Sequence, residues 1–174
     1  MLSGLEIKRQ VELGNIVISD FNEKQLNPNS YNIKLGKTLK IYDLGENLTA
    51  LDPRKDNKTK TMIIPDSGMV LHPGILYLGE TEEYTETYGF VPNIDGRSTT
   101  GRLGIEVHRT AGFGDNGFKG KWTLEITVTH PVIVYPGMEI GQLYYETIDG
   151  DCSMVYDGKY QNQQGVEAAK VDRD

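Results

Sequence analysis

A chain of 174 residues with 37% hydrophobic and 25% charged residues suits one soluble domain with a single core and excludes a disordered or fibrous protein. Its formal net charge of −7 argues against a nucleic-acid polymer as ligand, because a phosphate backbone requires a broad basic face. No apolar run approaches the ~20 residues that cross a bilayer, and the first residues lack an apolar signal core, so we expect a cytoplasmic protein with no membrane partner.

The first predicted element is a short helix at the start of the chain. Ser3 and Glu6 form a capping-box pattern, in which a serine at the N-cap pairs with a glutamate three residues later. Ile7 and Val11 share one helical face, and Gly14 offers a stop at the C-terminal end. We expect this to be the only substantial helix of the chain.

After this helix the chain breaks into short apolar or alternating runs that are separated by Gly, Pro, Asn and Asp. Twenty glycines indicate many tight turns, and the scarcity of helical periodicity leaves little room for βαβ units. The spacing therefore predicts an all-β sandwich or jelly roll. The predicted strands are Tyr31–Leu35, Thr38–Tyr42, Thr61–Ile64, Met69–Leu71, Ile75–Glu80, Gly89–Val91, Trp122–Val128, Val132–Tyr135 and Gln142–Thr147.

Two polar stretches fall outside the predicted strands. Residues 52–60 are expected to form an exposed loop, and residues 149–174 contain too few apolar side chains to form core. Such a tail is either disordered or closes over something. Because the sequence shows no internal repeat and no linker, we expect residues 1–174 to form a single domain in which residues 149–174 are a C-terminal tail.

The segment from Arg97 to Lys121 is basic inside an acidic protein. It carries five basic and two acidic residues, and such a local inversion of charge attracts small polyanions. Near its start, Gly96 and Gly101 flank Arg97 and three hydroxyl residues, and Arg102 follows directly, which lets amides, hydroxyls and guanidinium groups approach phosphate oxygens. The run is neither a Walker loop nor a Rossmann turn, and a purely structural glycine-rich turn is the alternative.

Glu125 stands out in an otherwise regular strand pattern. Alternation over residues 122–128 places the apolar side chains on one face and Thr123, Glu125 and Thr127 on the other. A polar stripe facing solvent is the simple interpretation. If the strand is central and that face is covered, however, the carboxylate requires a partner or a chemical role.

The sequence predicts no metal site. His72, His108 and His130 are scattered, and the pattern of zinc deaminases, H-x-E followed by P-C-x-x-C, is absent. Cys152 is the single cysteine and lies in a polar acidic stretch, so we expect neither a disulfide nor a catalytic thiol. His108 is a candidate ligand contact, with a structural histidine as the alternative.

Six segments spread over nearly the whole chain carry a resemblance to a known family. They are Asn27–Gly36, Gly96–Gly104, Thr110–Gly120, Thr123–Glu125, Pro136–Leu143 and Lys159–Gly165. In order and spacing they resemble the dCTP deaminase branch of the dUTPase-like superfamily. The resemblance implies a distorted β-sandwich of the dUTPase-like (β-clip) type, a homotrimer with sites at subunit interfaces, and a deaminase without zinc that uses Mg²⁺ on the substrate triphosphate.

The resemblance also implies residue roles. Glu125 matches the general base that takes a proton from water attacking cytosine C4, and Ser98 and Arg102 match the residues that hold that water and steady the developing charge. Asp115 matches the aspartate beside the deoxyribose, which in dUTPases activates the hydrolytic water. The implied substrate-binding residues are Arg97, Ser98, Thr99, Thr100, Gly101, Arg102, Ala111, Asp115, Thr123, Leu124, Glu125 and Gln142, together with Tyr156, Lys159 and Gln163 in a tail that folds over triphosphate and base.

The product is left open by departures from the family pattern. Ser98-Thr99 replaces a frequent Ser-Ser and keeps a hydroxyl. Gly112-Phe113 and Gln142 look like the members that hydrolyse their dUTP to dUMP, whereas residues 162–165 look like those that release dUTP. We therefore expect deamination of dCTP to dUTP and ammonia, which supplies dUMP and dTTP synthesis, with a bifunctional dUMP-forming enzyme as the alternative. A pure dUTPase and a non-catalytic nucleotide sensor are weaker alternatives, and dTTP is a candidate inhibitor.

Overall fold

Strands dominate the structure, a computed structural model that describes residues 1–45 and 50–171. The helices of this part of the chain are α1 (Gly4–Glu12), a short 3₁₀ helix (Glu23–Gln25) and α2 (Ser98–Arg102). Its strands are β1 (Ile16–Ile18), β2 (Tyr31–Tyr42), β3 (Thr59–Ile63), β4 (Met69–Leu71), β5 (Tyr77–Thr87), β6 (Phe90–Gly96), β7 (Ile105–Glu106), β8 (Lys119–Val128), β9 (Val132–Val134) and β10 (Glu139–Thr147). The predicted all-β class is confirmed.

The main sheet is antiparallel and nearly closed into a barrel. Its strands follow the order β6, β10, β2, β5, β8 and β7, with β1 added to β5 and β3 added to β2. β4 and β9 pair in a small second sheet. The inward faces of the central strands form the core, in which Tyr31, Ile33, Leu124, Leu143 and Tyr145 are fully buried.

The predicted N-terminal helix is confirmed as α1. The Ser3 hydroxyl accepts the backbone N–H of Glu6 at 3.2 Å, which satisfies one of the unpaired donors at the start of the helix. Ile7 is fully buried, and Gly14 adopts φ +77° just after the helix, a conformation that favours glycine. The capping residue and the apolar face therefore define this helix as the pattern predicted.

β2 is one continuous strand where the sequence predicted two. The gap between the two predicted strands contains Gly36, which lies inside β2 next to the buried side chain of Glu80. A Cβ atom at Gly36 would lie 2.5 Å from Cγ of Glu80, so glycine is required for close approach rather than for a turn. The irregularity is a shift of register with β5 between Leu35 and Leu39.

β5 extends seven residues beyond the predicted strand end at Glu80. The extension was missed because its buried residues are polar, including Thr81, Glu83 and Thr85. Their polar atoms are satisfied inside the protein: the Trp122 indole N–H donates to Thr85 Oγ1 at 3.0 Å. An apolar–polar alternation rule cannot recognise such a strand.

Other boundaries also shifted. β6, β8 and β10 include several residues outside their predicted ranges, and the predicted exposed loop 52–60 is wrong at Thr59 and Lys60, which begin β3. The structure adds β1, β7 and α2, none of which was predicted. No helix within the described residues is both long enough and apolar enough to cross a membrane.

Candidate active site

A cavity of about 460 Å³ lies against β8 and the tail, and we call it the aromatic cavity. Its walls carry Phe113, Phe118, Trp122, Tyr156 and Tyr160. Phe118 makes edge contacts with Trp122 and Tyr156, with ring centroids 5.4 and 5.9 Å apart. An apolar pocket with aromatic walls and a few polar groups is the usual form of a small-molecule site and suits a planar ring.

Glu125 supplies a carboxylate to this cavity. The alternation predicted for β8 is confirmed, because Trp122, Leu124 and Ile126 are buried while Glu125 lies half-buried on the polar face. The backbone N–H of Arg109 donates to Oε2 of Glu125 at 2.9 Å, and the N–H of Glu125 donates to the carbonyl of Val107 at 3.0 Å. The polar face is thus partly buried, and a backbone hydrogen bond holds the carboxylate in the cavity wall.

Asp115 and Ala111 line the same cavity from the loop that precedes β8. Two backbone hydrogen bonds tie this loop to β6: Ile94 N–H donates to the Gly112 carbonyl at 2.6 Å, and Gly114 N–H donates to the Pro92 carbonyl at 2.7 Å. The two sequence-predicted residues are therefore held by sheet-like pairing and not by a free loop.

The C-terminal tail forms part of the wall of the aromatic cavity in the same chain. Gln163 forms a parallel bridge with Gly120, and Lys121 N–H donates to the Gln163 carbonyl at 3.0 Å. The Gln163 amide donates to the Lys121 carbonyl and to Oγ1 of Thr123. A Cβ atom at Gly120, where φ is +150°, would lie 2.9 Å from the Gln163 carbonyl oxygen. Only glycine at this position therefore lets the tail pack against β8.

Other tail residues are packed as well. Tyr156 N–H donates to the Asn116 carbonyl at 2.7 Å, and its ring lines the cavity. Lys159, a predicted binding residue, does not line the cavity; its ammonium lies 5.5 Å from the centroid of the Tyr160 ring and donates to the Lys170 carbonyl at 3.0 Å. Val166 is only 5% exposed, so the tail contributes a core residue that the sequence did not predict. Residues 172–174 of the predicted tail lie outside the described part of the chain.

A second cavity of about 380 Å³, the arginine groove, lies beside the loop of residues 96–102, which we call the arginine loop. Gly96, Arg97, Ser98 and Gly101 line it from this loop, and His108 lines it from the segment after β7. Residues Ser98–Arg102 form α2 rather than the expected turn. Most of α2 is exposed, including Ser98 and Arg102.

Several predicted binding side chains brace the arginine loop instead of lining either cavity. Thr100 is 2% exposed, and its hydroxyl donates to the Ile140 carbonyl at 3.0 Å. The Gln142 amide donates to the Gly96 carbonyl at 2.9 Å. Arg102 donates to the Ser98 carbonyl at 3.0 Å, and Thr99 is exposed. Leu124 points into the core, so any contact of Leu124 or Thr100 with a ligand must come from the backbone.

The structure thus divides the predicted site residues into two groups. Glu125, Asp115 and Gln163 line the aromatic cavity, whereas Arg97 and Ser98 line the arginine groove. Among the described residues, the two cavities share no lining side chain, and the segment 107–111 runs between them. Within this single chain, Ser98 and Glu125 therefore do not line the same cavity.

Glu106, which no sequence motif singles out, fixes the segment between the cavities. The Thr127 hydroxyl donates to Oε2 of Glu106 at 2.6 Å, and Arg109 Nη1 donates to the same oxygen at 2.8 Å. The pKa of the Glu106 carboxyl is held below its usual range, mainly by the Thr127 hydrogen bond and also by the positive charge of Arg109. The anchored Arg109 is the residue whose backbone N–H holds Glu125.

Metal ligands are not clustered in the ranges 1–45 and 50–171, where no group of three or more His, Cys, Asp or Glu residues could hold an ion. His108 lies in the arginine groove with Nε2 3.9 Å from Oδ1 of Asp95. The contact of His108 with a ligand stays a prediction.

Known proteins resemble this chain over its full length. A family model described as dCTP deaminase-like matches residues 1–148. A protein of Clostridium acetobutylicum named "dCTP deaminase, dUMP-forming" is 52% identical over 174 residues, which cover 100% of this chain and 98% of that protein. A protein of the same name from Cytophaga hutchinsonii is 49% identical, with 100% and 98% coverage.

A solved structure shares the fold. The crystal structure of 2'-deoxycytidine 5'-triphosphate deaminase from Agrobacterium tumefaciens superposes with a TM-score of 0.65 at 19% identity. The match covers 84% of this chain and 47% of that chain, so this chain spans about half its length. At this identity the likeness concerns the fold alone, and it agrees with the dUTPase-like architecture that the sequence resemblance implied.

Proposed function

We propose that this chain, which belongs to the dCTP deaminase-like family, deaminates dCTP and then hydrolyses the dUTP formed to dUMP and diphosphate. The observation that carries the proposal is the Glu125 carboxylate, held by the Arg109 N–H in the wall of the aromatic cavity. Relatives at 52% and 49% identity named "dCTP deaminase, dUMP-forming" support the dUMP-forming alternative over simple release of dUTP.

The aromatic cavity is the proposed site of the base. Glu125 would accept a proton from a water molecule as the oxygen attacks cytosine C4, and would pass protons to N3 and to the leaving amino group. Ammonia then leaves and the uracil carbonyl forms. Phe118 and Trp122, which contact each other, would flank the ring from one side, while the tail residues of the cavity would help to exclude bulk water.

The arginine groove is the proposed site of the triphosphate. Arg97 and Ser98 present donors suited to phosphate oxygens, and Ser98 with Arg102 would also steady the attacking water. Because one protomer separates these residues from Glu125, we propose that the groove of one subunit completes the cavity of another. Leu103, 48% exposed beside α2, is an apolar side chain that such a neighbour would cover.

A homotrimer is the proposed assembly. Closed cyclic symmetry lets each groove meet a neighbouring cavity once, which makes as many complete sites as subunits. Trimer formation also explains why the catalytic residues of α2 lie on an exposed surface. Light scattering should give the mass of a trimer, and the mass of a monomer would contradict this assembly.

Mg²⁺ is proposed to arrive with the substrate triphosphate, and no zinc is proposed. Mg²⁺ usually keeps several waters and is held by substrate phosphates with one or two carboxylates. The groove offers guanidinium and hydroxyl donors, which suit phosphate oxygens better than they suit a free cation. The Asp95 carboxylate also lines the groove. Bound there, the ion would neutralise phosphate charge.

Asp115 is the proposed residue for dUMP formation. It lines the aromatic cavity together with Glu125, so one bound nucleotide could meet both carboxylates. Asp115 would position a second water toward the α-phosphate, where attack releases diphosphate. A pure dUTPase would have no need of Glu125 at the base, and a non-catalytic nucleotide sensor would need neither carboxylate.

The test is incubation of the protein with dCTP and Mg²⁺, with ammonia measured and the nucleotides separated. We expect ammonia, dUMP and diphosphate in equal amounts. Accumulation of dUTP would contradict the second step. In a parallel reaction supplied with dUTP, hydrolysis by a protein that releases no ammonia from dCTP would show a dUTPase. Addition of dTTP to the same assay tests the candidate inhibitor. Glu125→Gln is the control for contaminating deaminase.

A further inference from the structure

The segment Asn27–Asn32 lies beneath the arginine loop and has no role in the chemistry described above. Two chains of side-chain hydrogen bonds start from this segment. On one branch the Asn32 amide donates to Oε2 of Glu139 at 3.0 Å. On the other, the Ser30 hydroxyl donates to Oε1 of Gln142 at 2.6 Å. Asn27 links the branches, because its amide donates to Ser30 Oγ at 3.2 Å and to Asn32 Oδ1 at 2.7 Å.

Each branch ends on the arginine loop. Glu139 pairs with Arg97 twice: Nη2 lies 2.7 Å from Oε2, and Nη1 donates to the Glu139 carbonyl at 3.1 Å. Gln142 donates its amide to the Gly96 carbonyl at 2.9 Å. The first residues of β10 therefore hold both the backbone entry to the loop and its first guanidinium.

This network is built from shielded groups. Ser30 and Asn32 are each 7% exposed, and the Arg97 and Glu139 side chains are 27% and 32% exposed. The Gln25 amide also donates to the Asn32 carbonyl at 2.8 Å, which fixes the backbone behind the network. Charge-assisted hydrogen bonds in such surroundings hold a guanidinium in one orientation.

We infer that Glu139, itself oriented by Asn32, is a positioning residue that aims Arg97 and the arginine loop at the substrate triphosphate. Two of the five guanidinium N–H groups are engaged by Glu139, which leaves the others to phosphate oxygens. Glu139 acts through Arg97 and does not touch substrate. The inference rests on the proposed function, because it assigns the triphosphate to the arginine groove.

The first test compares Glu139→Gln with Glu146→Gln, an exposed glutamate on the same strand. We expect Glu139→Gln to raise KM for dCTP by about tenfold or more, since a charged hydrogen-bond partner is lost. The inhibition constant of dCMP, which lacks the outer phosphates, should change by less than about twofold, as should all constants of Glu146→Gln. A merely structural role would instead lower the melting temperature and weaken both nucleotides alike.

The second test is a double-mutant cycle with Arg97→Gln. If Glu139 acts through Arg97, Glu139→Gln should add almost nothing to the KM of the Arg97→Gln enzyme. Additive losses, an unchanged KM, or tighter dCTP binding by Glu139→Gln would overturn the inference. Asn32→Ala, which keeps every charge, should raise KM in the same direction and provides a second variant if Glu139→Gln folds poorly. Failure of the proposed function would appear separately, as a wild-type chain that releases no ammonia from dCTP.

Discussion

The aromatic cavity and the arginine groove differ in how far their surrounding residues are buried within one chain. The cavity is lined in part by the chain's own tail, in which Gln163 is 7% exposed and paired to β8. The groove lies beside α2, whose Ser98 and Arg102 face outward next to the exposed Leu103. This difference supports the proposal that one subunit supplies the chemistry at the base, while the residues proposed to bind phosphate and hold water are presented to another.

The largest expected effect is on the cavity side. Glu125→Gln keeps the size of the side chain and can still accept the Arg109 N–H, but it removes the base. Deamination should fall by about 10²–10⁴-fold, the range typical of lost general acid–base catalysis, with dCTP affinity retained. Ammonia release and equilibrium binding of dCTP measure the two quantities. Near-normal ammonia release would make Glu125 a structural residue and remove the base from the mechanism.

Removal of the tail from Asp149 onward tests whether the roof of the cavity is needed. The truncated chain should remain folded, because the main sheet is complete without the tail. Turnover should fall by about a hundredfold, because the cavity loses its cover and positioning contacts. Loss of the buried Val166 should also lower the melting temperature. Circular dichroism and ammonia release check both, and unchanged turnover would refute the covering role.

Asp115→Asn separates the two reactions inside the cavity. If Asp115 activates the second water, the variant should release ammonia but accumulate dUTP in place of dUMP. Chromatographic separation of dUTP and dUMP measures this ratio over time. A variant that loses both products equally would instead show that Asp115 only holds the sugar. Deamination by the variant serves as the internal control for folding.

The smallest effect is expected at Glu83, which lies behind the groove's supporting network. Its carboxylate accepts the Lys34 N–H at 2.9 Å and the Gln25 amide at 3.2 Å, and burial raises its pKa above the ordinary value of 4.5. Between these two pKa values the unfolded chain ionises while the folded chain keeps the proton. The free energy of unfolding therefore falls as pH rises through this window, and the loss is complete above the raised pKa.

Glu83→Gln should remove that pH dependence. From about pH 4 to about pH 8, the variant's free energy of unfolding should rise relative to that of the wild type. Urea denaturation at several pH values measures the difference, and Glu82→Gln, at a more exposed neighbouring position, is the matched control. A constant difference between Glu83→Gln and the wild type across this range would show that the pKa of Glu83 is the same in the folded and unfolded chains, and would contradict the raised pKa.

Sequence patterns predicted the fold best where burial alternates with exposure. β8 was predicted because its inward residues are apolar, and Glu125 was singled out for the same reason. The end of β5 was missed because Thr81 and Glu83 are buried polar residues with partners far along the chain. Helix α2 was missed because a Gly- and hydroxyl-rich run is typical of a turn.

The site residues were predicted as one set, and the structure divides them. Spacing identifies which side chains have useful chemistry, but not which face of the molecule each one occupies. Thr99 and Thr100 are adjacent in sequence, yet Thr99 is exposed while Thr100 is buried and its hydroxyl donates to the Ile140 carbonyl. The roles of Glu139 and Glu106 depend on contacts with Arg97 and Thr127, distant in sequence, which no local pattern encodes.

Subunit complementation tests the shared site most directly. Glu125→Gln and Ser98→Ala chains would be unfolded together in equal amounts and refolded, with each variant refolded alone as a control. If groove and cavity come from different subunits, each mixed site draws its two halves independently, and about a quarter of the wild-type ammonia release should return. Activity no higher than that of the two variants alone would contradict the account and place the complete site within one chain.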